Sequence, residues 1–416
     1  MRKLKHYILL FFLCVGYPAY SQSSVSLDSC IAWSLQNYPL IQQLQLIDLS
    51  RDYSIDNINT GYIPHANIFA FGGYIDGIPQ LTPNTASEPW RFMGAINVEQ
   101  TIWDGGQMLK NKKLTKTQAE IDKQNIRINL FELRSKVSEI FFGILLIQEQ
   151  KKEIHLQENN LNQSLKSVET AIKNGTAYYS DLDEVNVALL NLDQKLSQLR
   201  ALENSYREML TMFTHRNIVE NTVLERPVIQ MSLNDSIEKR PELQLFDNQK
   251  KLLDAHNPGA GEALPRVSLM GLGGLIAPEF KMNQTSLNHL LMGGLTVTWP
   301  IGGRTYTMGM DKKRLSIEKQ KIDNQQETFI FNTKLSLSQH ASKIRQWDEM
   351  LISDEKIVDL RNKIKKSAET KYENGTITMT ELLRCINEAS LAKQNKDLHE
   401  IQKLLTIYQY NADLGY

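Results

Sequence analysis

Past its first fifteen residues the chain has no apolar run approaching the roughly twenty residues that a membrane-spanning helix needs. If the rest of the chain meets a bilayer, it must do so as a closed β-barrel. Cysteine is nearly absent. Of the three, Cys14 lies in the opening segment, and Cys30 and Cys385 stand far apart. They do not form the paired framework of exported domains and read as small buried apolar side chains. Charge of either sign is not in excess, with 47 Lys and Arg against 47 Asp and Glu. A nucleic-acid partner would favour a basic stripe, so none is expected. The eight histidines are scattered, with no His-x-x-x-His and no His/Cys cluster, so no metal site is expected. Gly72, Gly73, Gly273 and Gly274 open no helix at phosphate-loop spacing, and no Lys-Ser/Thr pair follows them. They read instead as glycines where barrel strands bend. No nucleophile elbow or paired-carboxylate constellation stands out. Neither a cofactor nor an enzymatic activity is therefore expected.

The opening segment is more informative. Arg2, Lys3 and Lys5 precede an apolar run over residues 7–15, and Ala19-Tyr20-Ser21 follows. This is the layout of a secretory signal peptide, assigned to residues 1–21 with Gln22 as the first mature residue. Leu13 before Cys14 is not the small residue a lipoprotein signal wants, so a lipid anchor is not expected. Removing three basic residues and no acids takes the formal balance from zero to about −3.

A repeat near 200 residues organises the remainder. Asn37-Tyr38-Pro39 is answered by Lys239-Arg240-Pro241, and the stretch from Pro64 to Gly73 by that from Pro265 to Gly274. Met93-Gly94 is answered by Met292-Gly293, Gly105-Gly106 by Gly302-Gly303, and Asn174-Gly175-Thr176 by Asn374-Gly375-Thr376. The landmarks keep one order at offsets of 197 to 202 (105 to 302; 37 to 239). The expected repeats are 22–225 and 226–416. Each reads as a short helix, a strand, a loop, a strand, a very long helix, a Gly break and a long helix. The first short helix, about 27–36, is expected to stop at Pro39. Strands are expected at about 64–76, 91–103, 265–276 and 291–301 from period-two alternation. Helical hairpins are expected at about 107–213 and 304–411.

The first hairpin is the clearest signal. Ile126, Leu130, Leu133, Val137, Ile140, Ile144, Ile147, Lys151, Ile154, Glu158, Leu161, Leu165, Val168 and Ile172 alternate spacings of four and three. A sustained 3.5-residue period is a left-handed coiled-coil seam. Only Lys151 and Glu158 interrupt it. After Gly175 the pattern resumes from Leu182 to Phe213, with Glu203 as its polar member. The second hairpin shows the same pattern more raggedly. Residues 107–172 would make roughly 100 Å of helix, which needs partner helices or partner chains. Four strands per chain likewise leave two open edges, and the smallest transmembrane barrels have about eight strands. Two, three or four chains would all close such a sheet.

Asn37-x-Pro39, Pro64, Trp103-Asp104-Gly105-Gly106, Arg240-Pro241-Glu242-Leu243 and Tyr372-Glu373-Asn374-Gly375-Thr376 together resemble the TolC outer-membrane efflux family. The resemblance implies a mixed, mainly α fold: a homotrimer with a shared 12-stranded β-barrel in the outer membrane of a Gram-negative bacterium, its long helical hairpins forming an α-barrel tunnel in the periplasm. It implies a passive conduit of a tripartite efflux or type I secretion system. Its implied partners are outer-membrane lipid, a periplasmic adaptor and, indirectly, an inner-membrane pump. Asn174, Gly175, Thr176, Asn374, Gly375 and Thr376 would be adaptor-docking tips. The acidic periplasmic gate would fall on Glu381 and on Arg384, where a cation replaces the second acid. A tip tyrosine–acid tie would fall on Tyr372 and Asp181, and the tip arginine is replaced by Ile377. A secreted coiled-coil scaffold or adhesin without a pore is the other reading. It would require neither strand pairs nor a twofold repeat.

Overall fold

The structure, a computed structural model, describes residues 24–74, 90–232, 236–256, 264–277, 287–300 and 303–416. The expected signal peptide, most of both strand-connecting loops, the ends of the first and fourth expected strands and Gly302 lie outside the described residues. The elements in chain order are α1 (Leu27–Asn37), α2 (Leu40–Thr60), β1 (His65–Tyr74), β2 (Trp90–Trp103), α3 (Gln107–Lys173), α4 (Tyr179–Thr214), α5 (Pro241–Ala255), β3 (Arg266–Ala277), β4 (Asn288–Thr298), α6 (Gly303–Glu373) and α7 (Met379–Asp413). The chain is mainly helical, with one four-stranded antiparallel sheet in the order β1-β2-β3-β4.

One element goes beyond the sequence expectation. Pro39 ends α1, but a 21-residue helix, α2, starts at the next residue. None of its residues is buried, and Leu46, Leu49 and Tyr53 are exposed. Ile41, Leu44, Ile47, Ile55 and Ile58 are half-buried at helical spacing, a short row that Arg51 interrupts. Pro241 is the first residue of α5. Proline suits that position because the first-turn N–H has no intrahelical partner to lose. The recurring proline thus precedes or opens a helix in both halves.

Contacts divide the chain into two compact units, and both halves of the sequence contribute to each. The unit of residues 42–126 and 242–329 contains the sheet. Register sorts its side chains into two faces. Ile68 pairs with Ile96, Gly94 with Leu275, Val98 with Gly271, Gly273 with Leu291, Leu269 with Leu295 and Val267 with Val297. Paired residues share a face, so this face is apolar except for Gln100 and His289. Tyr74 packs edge-on against Trp90 at one end of it, with ring centroids 5.5 Å apart. Trp103 and Trp299 lie at the other end, both exposed. The opposite face is polar toward the His65 end of β1: His65 pairs with Glu99, Asn67 with Asn97, Thr101 with Ser268 and Arg266 with Thr298. Arg266 also donates to Thr101 Oγ1 at 2.7 Å. Gly274 is required sterically: a Cβ there would come within 2.6 Å of the Ala95 Cβ and 2.5 Å of the Gly94 carbonyl.

The other unit holds the described residues of 24–41, 127–241 and 330–416. Leu133, Val137, Phe141, Phe142 and Ile144 of α3 pack with Leu210 of α4, Cys30 and Ile31 of α1 and Ile401 of α7. Burial pushes the Cys30 thiol up to about 12, which leaves it an inert packing group. Cys385 is also buried and unpaired. Gly143 lets α4 approach: a Cβ there would sit 2.6 Å from the Tyr206 ring. Two of the polar seam positions meet. Lys151 of α3 and Glu203 of α4 form an ion pair at 2.8 Å, and Arg207 binds the same carboxylate at 2.7 Å. Arg207 also donates to the Val219 carbonyl at 2.6 Å, which ties the segment after α4 to the hairpin. Glu203 and Arg207 are both almost fully buried.

Removing Glu203 leaves the buried Arg207 guanidinium with backbone carbonyls but no counter-charge, and leaves Lys151 with only the exposed Glu220. Glu203→Leu should destabilise the protein by about 3–5 kcal/mol, whereas the triple replacement Lys151→Met/Glu203→Leu/Arg207→Met should be close to neutral. Denaturation midpoints in detergent check both. Equal losses in the two variants would mean that the network contributes only through packing.

Candidate functional site

The two helix reversals are built alike. Gly175 has φ 72° and Gly375 φ 69°, in the left-handed region where a side chain is strained. At the first, Gly175 N–H donates to Ile172 O at 2.9 Å and Thr176 N–H to Ala171 O at 2.9 Å. At the second, Gly375 N–H donates to Tyr372 O at 2.8 Å and Thr376 N–H to Lys371 O at 2.9 Å. This pattern satisfies the last helical carbonyls and stops the helix. Each threonine hydroxyl adds a bond to the same carbonyl as its N–H. Asn174, Gly175, Thr176, Asn374, Gly375 and Thr376 are all exposed. Beneath the turns the two hairpins share a core in which Leu161, Val168, Val185, Ala368, Met379, Leu382, Cys385 and Ile386 are buried. Ile377 packs against that core, in place of the charged side chain the resemblance would want.

The next helices begin with caps. Thr378 Oγ1 accepts from Glu381 N–H at 3.3 Å, and the Asp181 carboxylate accepts from Tyr178 N–H at 3.1 Å. Asp181 is thereby used to start α4. Among the described residues no hydrogen bond joins Tyr372 to Asp181. The Tyr372 ring lies against the shared apolar core. Burial, reinforced by the Asp181 and Glu184 carboxylates, pushes its phenol above the usual range. The link between hairpins at this level is a different one: Thr380 Oγ1 of α7 donates to Glu184 of α4 at 2.8 Å.

Glu381 and Arg384 are joined directly. Arg384 donates to both oxygens of Glu381, at 3.0 and 2.6 Å, and to Glu388 at 2.6 Å. The guanidinium holds the Glu381 carboxyl below the ordinary carboxylate range, and the same contacts raise Arg384. Glu388 also receives Arg361 of α6. The result is a charge-balanced ladder, Glu381–Arg384–Glu388–Arg361, running along α7 and across to α6. Sequence reading misses Glu388 and Arg361. The four-residue spacing from Arg384 to Glu388 signals the first, whereas Arg361 requires knowing the helix pairing. The ladder borders a groove of about 1000 Å³ between α4 and α7, also lined by Asp183, Glu184 and Lys195. No cluster of metal-binding side chains occurs among the described residues, and no described helix is long and apolar enough to cross a membrane.

No family model matches the chain, and comparison with curated proteins finds no match. Solved structures do match, over nearly the full length. The outer-membrane channel OprN is 16% identical over 94% of this chain and 89% of its own, with a TM-score of 0.67. CusC, described in terms of folding and transmembrane channel formation, is 14% identical over 96% and 95%, with a TM-score of 0.68. The outer-membrane protein VceC from Vibrio cholerae is 11% identical over 94% and 96%, with a TM-score of 0.67. The chain has the fold of these outer-membrane channel proteins.

Proposed function

We propose that this chain is the outer-membrane channel of a tripartite efflux or type I secretion system, working as a passive homotrimeric conduit rather than an enzyme. The observation that carries the reading is the sheet. One face is apolar and exposed, and aromatic side chains mark its two ends. Among the described residues both outer strands, β1 and β4, end the sheet unpaired. Outer-membrane barrels have such an apolar band, about 25 Å tall between aromatic girdles. Three copies joined edge to edge make twelve strands and leave no backbone group unpaired in lipid. The partly polar opposite face then lines the pore, and the long hairpins form the periplasmic tunnel. The turns at Gly175 and Gly375 are the adaptor-docking tips, and Glu381 with Arg384 belongs to the periplasmic gate. Energy for export comes from an inner-membrane pump, reached through the adaptor.

Native mass spectrometry of the detergent-extracted protein should show three copies. A monodisperse monomer that still conducts in a planar bilayer would end the reading. At the tips, Gly375→Val forces a β-branched residue into the left-handed region at a local cost of about 1–2 kcal/mol. Export should be lost while trimer yield is unchanged, and undiminished export would remove the docking role. At the gate, Arg384→Asp should raise cation selectivity and block by multivalent cations, and Glu381→Gln should weaken both. Glu381 contributes negative charge only above its own titration, which Arg384 holds low. Acid should therefore abolish cation preference at a higher pH in Arg384→Asp than in the parent. Unchanged reversal potentials in both variants would place the gate elsewhere.

A further inference from the structure

Two histidine–carboxylate pairs cross between α6 and α7, and each reverses the other. His340 of α6 meets Asp413 of α7, Nε2 to Oδ2 at 3.4 Å. Asp354 of α6 meets His399 of α7, Oδ2 to Nδ1 at 2.6 Å. On both helices the members stand two heptads apart, 340 to 354 and 399 to 413, as antiparallel seam positions do. Trp347, midway on α6, lies on the His399 ring with centroids 5.3 Å apart and planes at 29°. All four side chains are largely buried, Asp354 and His399 most deeply at 11% and 16% exposure.

The charged groups around the pairs are themselves engaged. Flanking His399, Lys403 of α7 pairs with Asp348 of α6 at 2.5 Å, and Lys396 of α7 with Glu355 of α6 at 3.8 Å. Glu400 of α7 is held by Arg226 at 2.8 Å. At the other pair, Asp413 accepts from Ser336 at 2.5 Å and has Arg240 at 3.8 Å. The balance at Asp354 therefore turns on the His399 imidazole, whereas Asp413 keeps Arg240 as a second, permanent cation. With neutral histidine, Asp354 is a nearly buried anion whose partner across the seam carries no charge. With protonated histidine the bond is charge-assisted, and stronger. His340 is the weaker arm, because its Nδ1 is buried without a partner and would carry an unsatisfied N–H when protonated.

We propose that the α6–α7 seam is a proton-operated register lock, with His399–Asp354 as its principal arm and His340–Asp413 as its second. Protonation of the imidazoles clamps the helix that carries Glu381 and Arg384 against α6. Deprotonation of the imidazoles loosens it. The inference stands whether or not the chain conducts.

Two measurements on the full-length protein in detergent test it. Protonated imidazole quenches a stacked indole, so emission lost in Trp347→Phe should titrate in the parent and not in His399→Gln. Hydrogen exchange over 336–358 and 395–413, corrected for intrinsic pH dependence, should be slower at pH 5.5 than at pH 7.5. His340→Gln/His399→Gln should flatten that response. Asp354→His, which sets two imidazoles face to face, should reverse it, and Asp354→His/His399→Asp should restore it. A response that persists in the double glutamine variant, or Trp347 emission indifferent to pH between 5 and 8, would overturn the lock. Should Asp354→His fail to assemble, the titration of Trp347 emission with and without His399 decides alone.

Discussion

Among the described residues, unpaired strand edges constrain the surroundings that a single copy can occupy. The sheet has four strands, and β1 and β4 end it on either side. One face exposes Ile68, Ile96, Leu275, Leu291 and Leu295. In water such a face is an aggregation surface. In lipid the face is satisfied, but each open edge leaves backbone N–H and C=O groups without partners, at several kcal/mol per group. Neither solvent suits a lone copy. Edge-to-edge pairing between copies, as proposed above, would remove both objections at once.

The helices face a related problem and solve it with polar residues in places where apolar ones are the rule. Lys151 and Glu203 interrupt two apolar seams at the point where those seams meet, and they are bound to each other, Glu203 also holding Arg207. Buried ion pairs of this kind add little net stability over apolar side chains, and a shifted register would separate each charge from its partner. In the second hairpin the substitution goes further. Thr333, His340, Trp347, Asp354, Arg361 and Ala368 recur at heptad spacing on α6, and Thr333, Asp354 and Ala368 are buried. Their partners on α7 include His399, Asp413 and Cys385. A long two-helix seam of uniform leucine could slip by a heptad at little cost. One written in His–Asp pairs cannot.

That substitution also explains what can and cannot be read from the sequence. The first hairpin is legible because its seam is apolar for fourteen successive positions with two exceptions. The other hairpin reads as ragged because its seam is polar, and hydropathy cannot distinguish a paired polar residue from a solvated one. The strands are legible from alternation, since the two faces differ in polarity. Helix α2 is missed because its half-buried row of Ile41, Leu44, Ile47, Ile55 and Ile58 is short and broken at Arg51. Pro39 reads as a stop when it is also a start. The ambiguity is intrinsic to proline, which suits the first turn of a helix as well as the position beyond its end. At the tips, Gly175 and Gly375 are legible because only a residue tolerant of positive φ closes that turn. The Tyr372–Asp181 tie rests on resemblance alone, and no hydrogen bond joins the two side chains. Asp181 is engaged at its own helix N-terminus, which leaves Thr380 and Glu184 to bridge the hairpins.

Charge balance at the candidate gate follows from the same shortage of partners. A carboxylate at an N-terminal turn such as Glu381 is favoured by the helix dipole and needs no cation to hold it in place. Arg384 nevertheless takes both of its oxygens and passes the connection to Glu388, which α6 anchors through Arg361. Exposed ion pairs are individually weak and screened by salt. Their effect here is on orientation: Arg384 is turned back along its own helix, and its charge is offset within the chain. A ring of three such sites would present paired charges to a passing ion, whereas a ring of unpaired acids would concentrate cations. An arginine at this position thus does more than change one charge, because Arg384 also joins Glu381 to the Glu388–Arg361 pair.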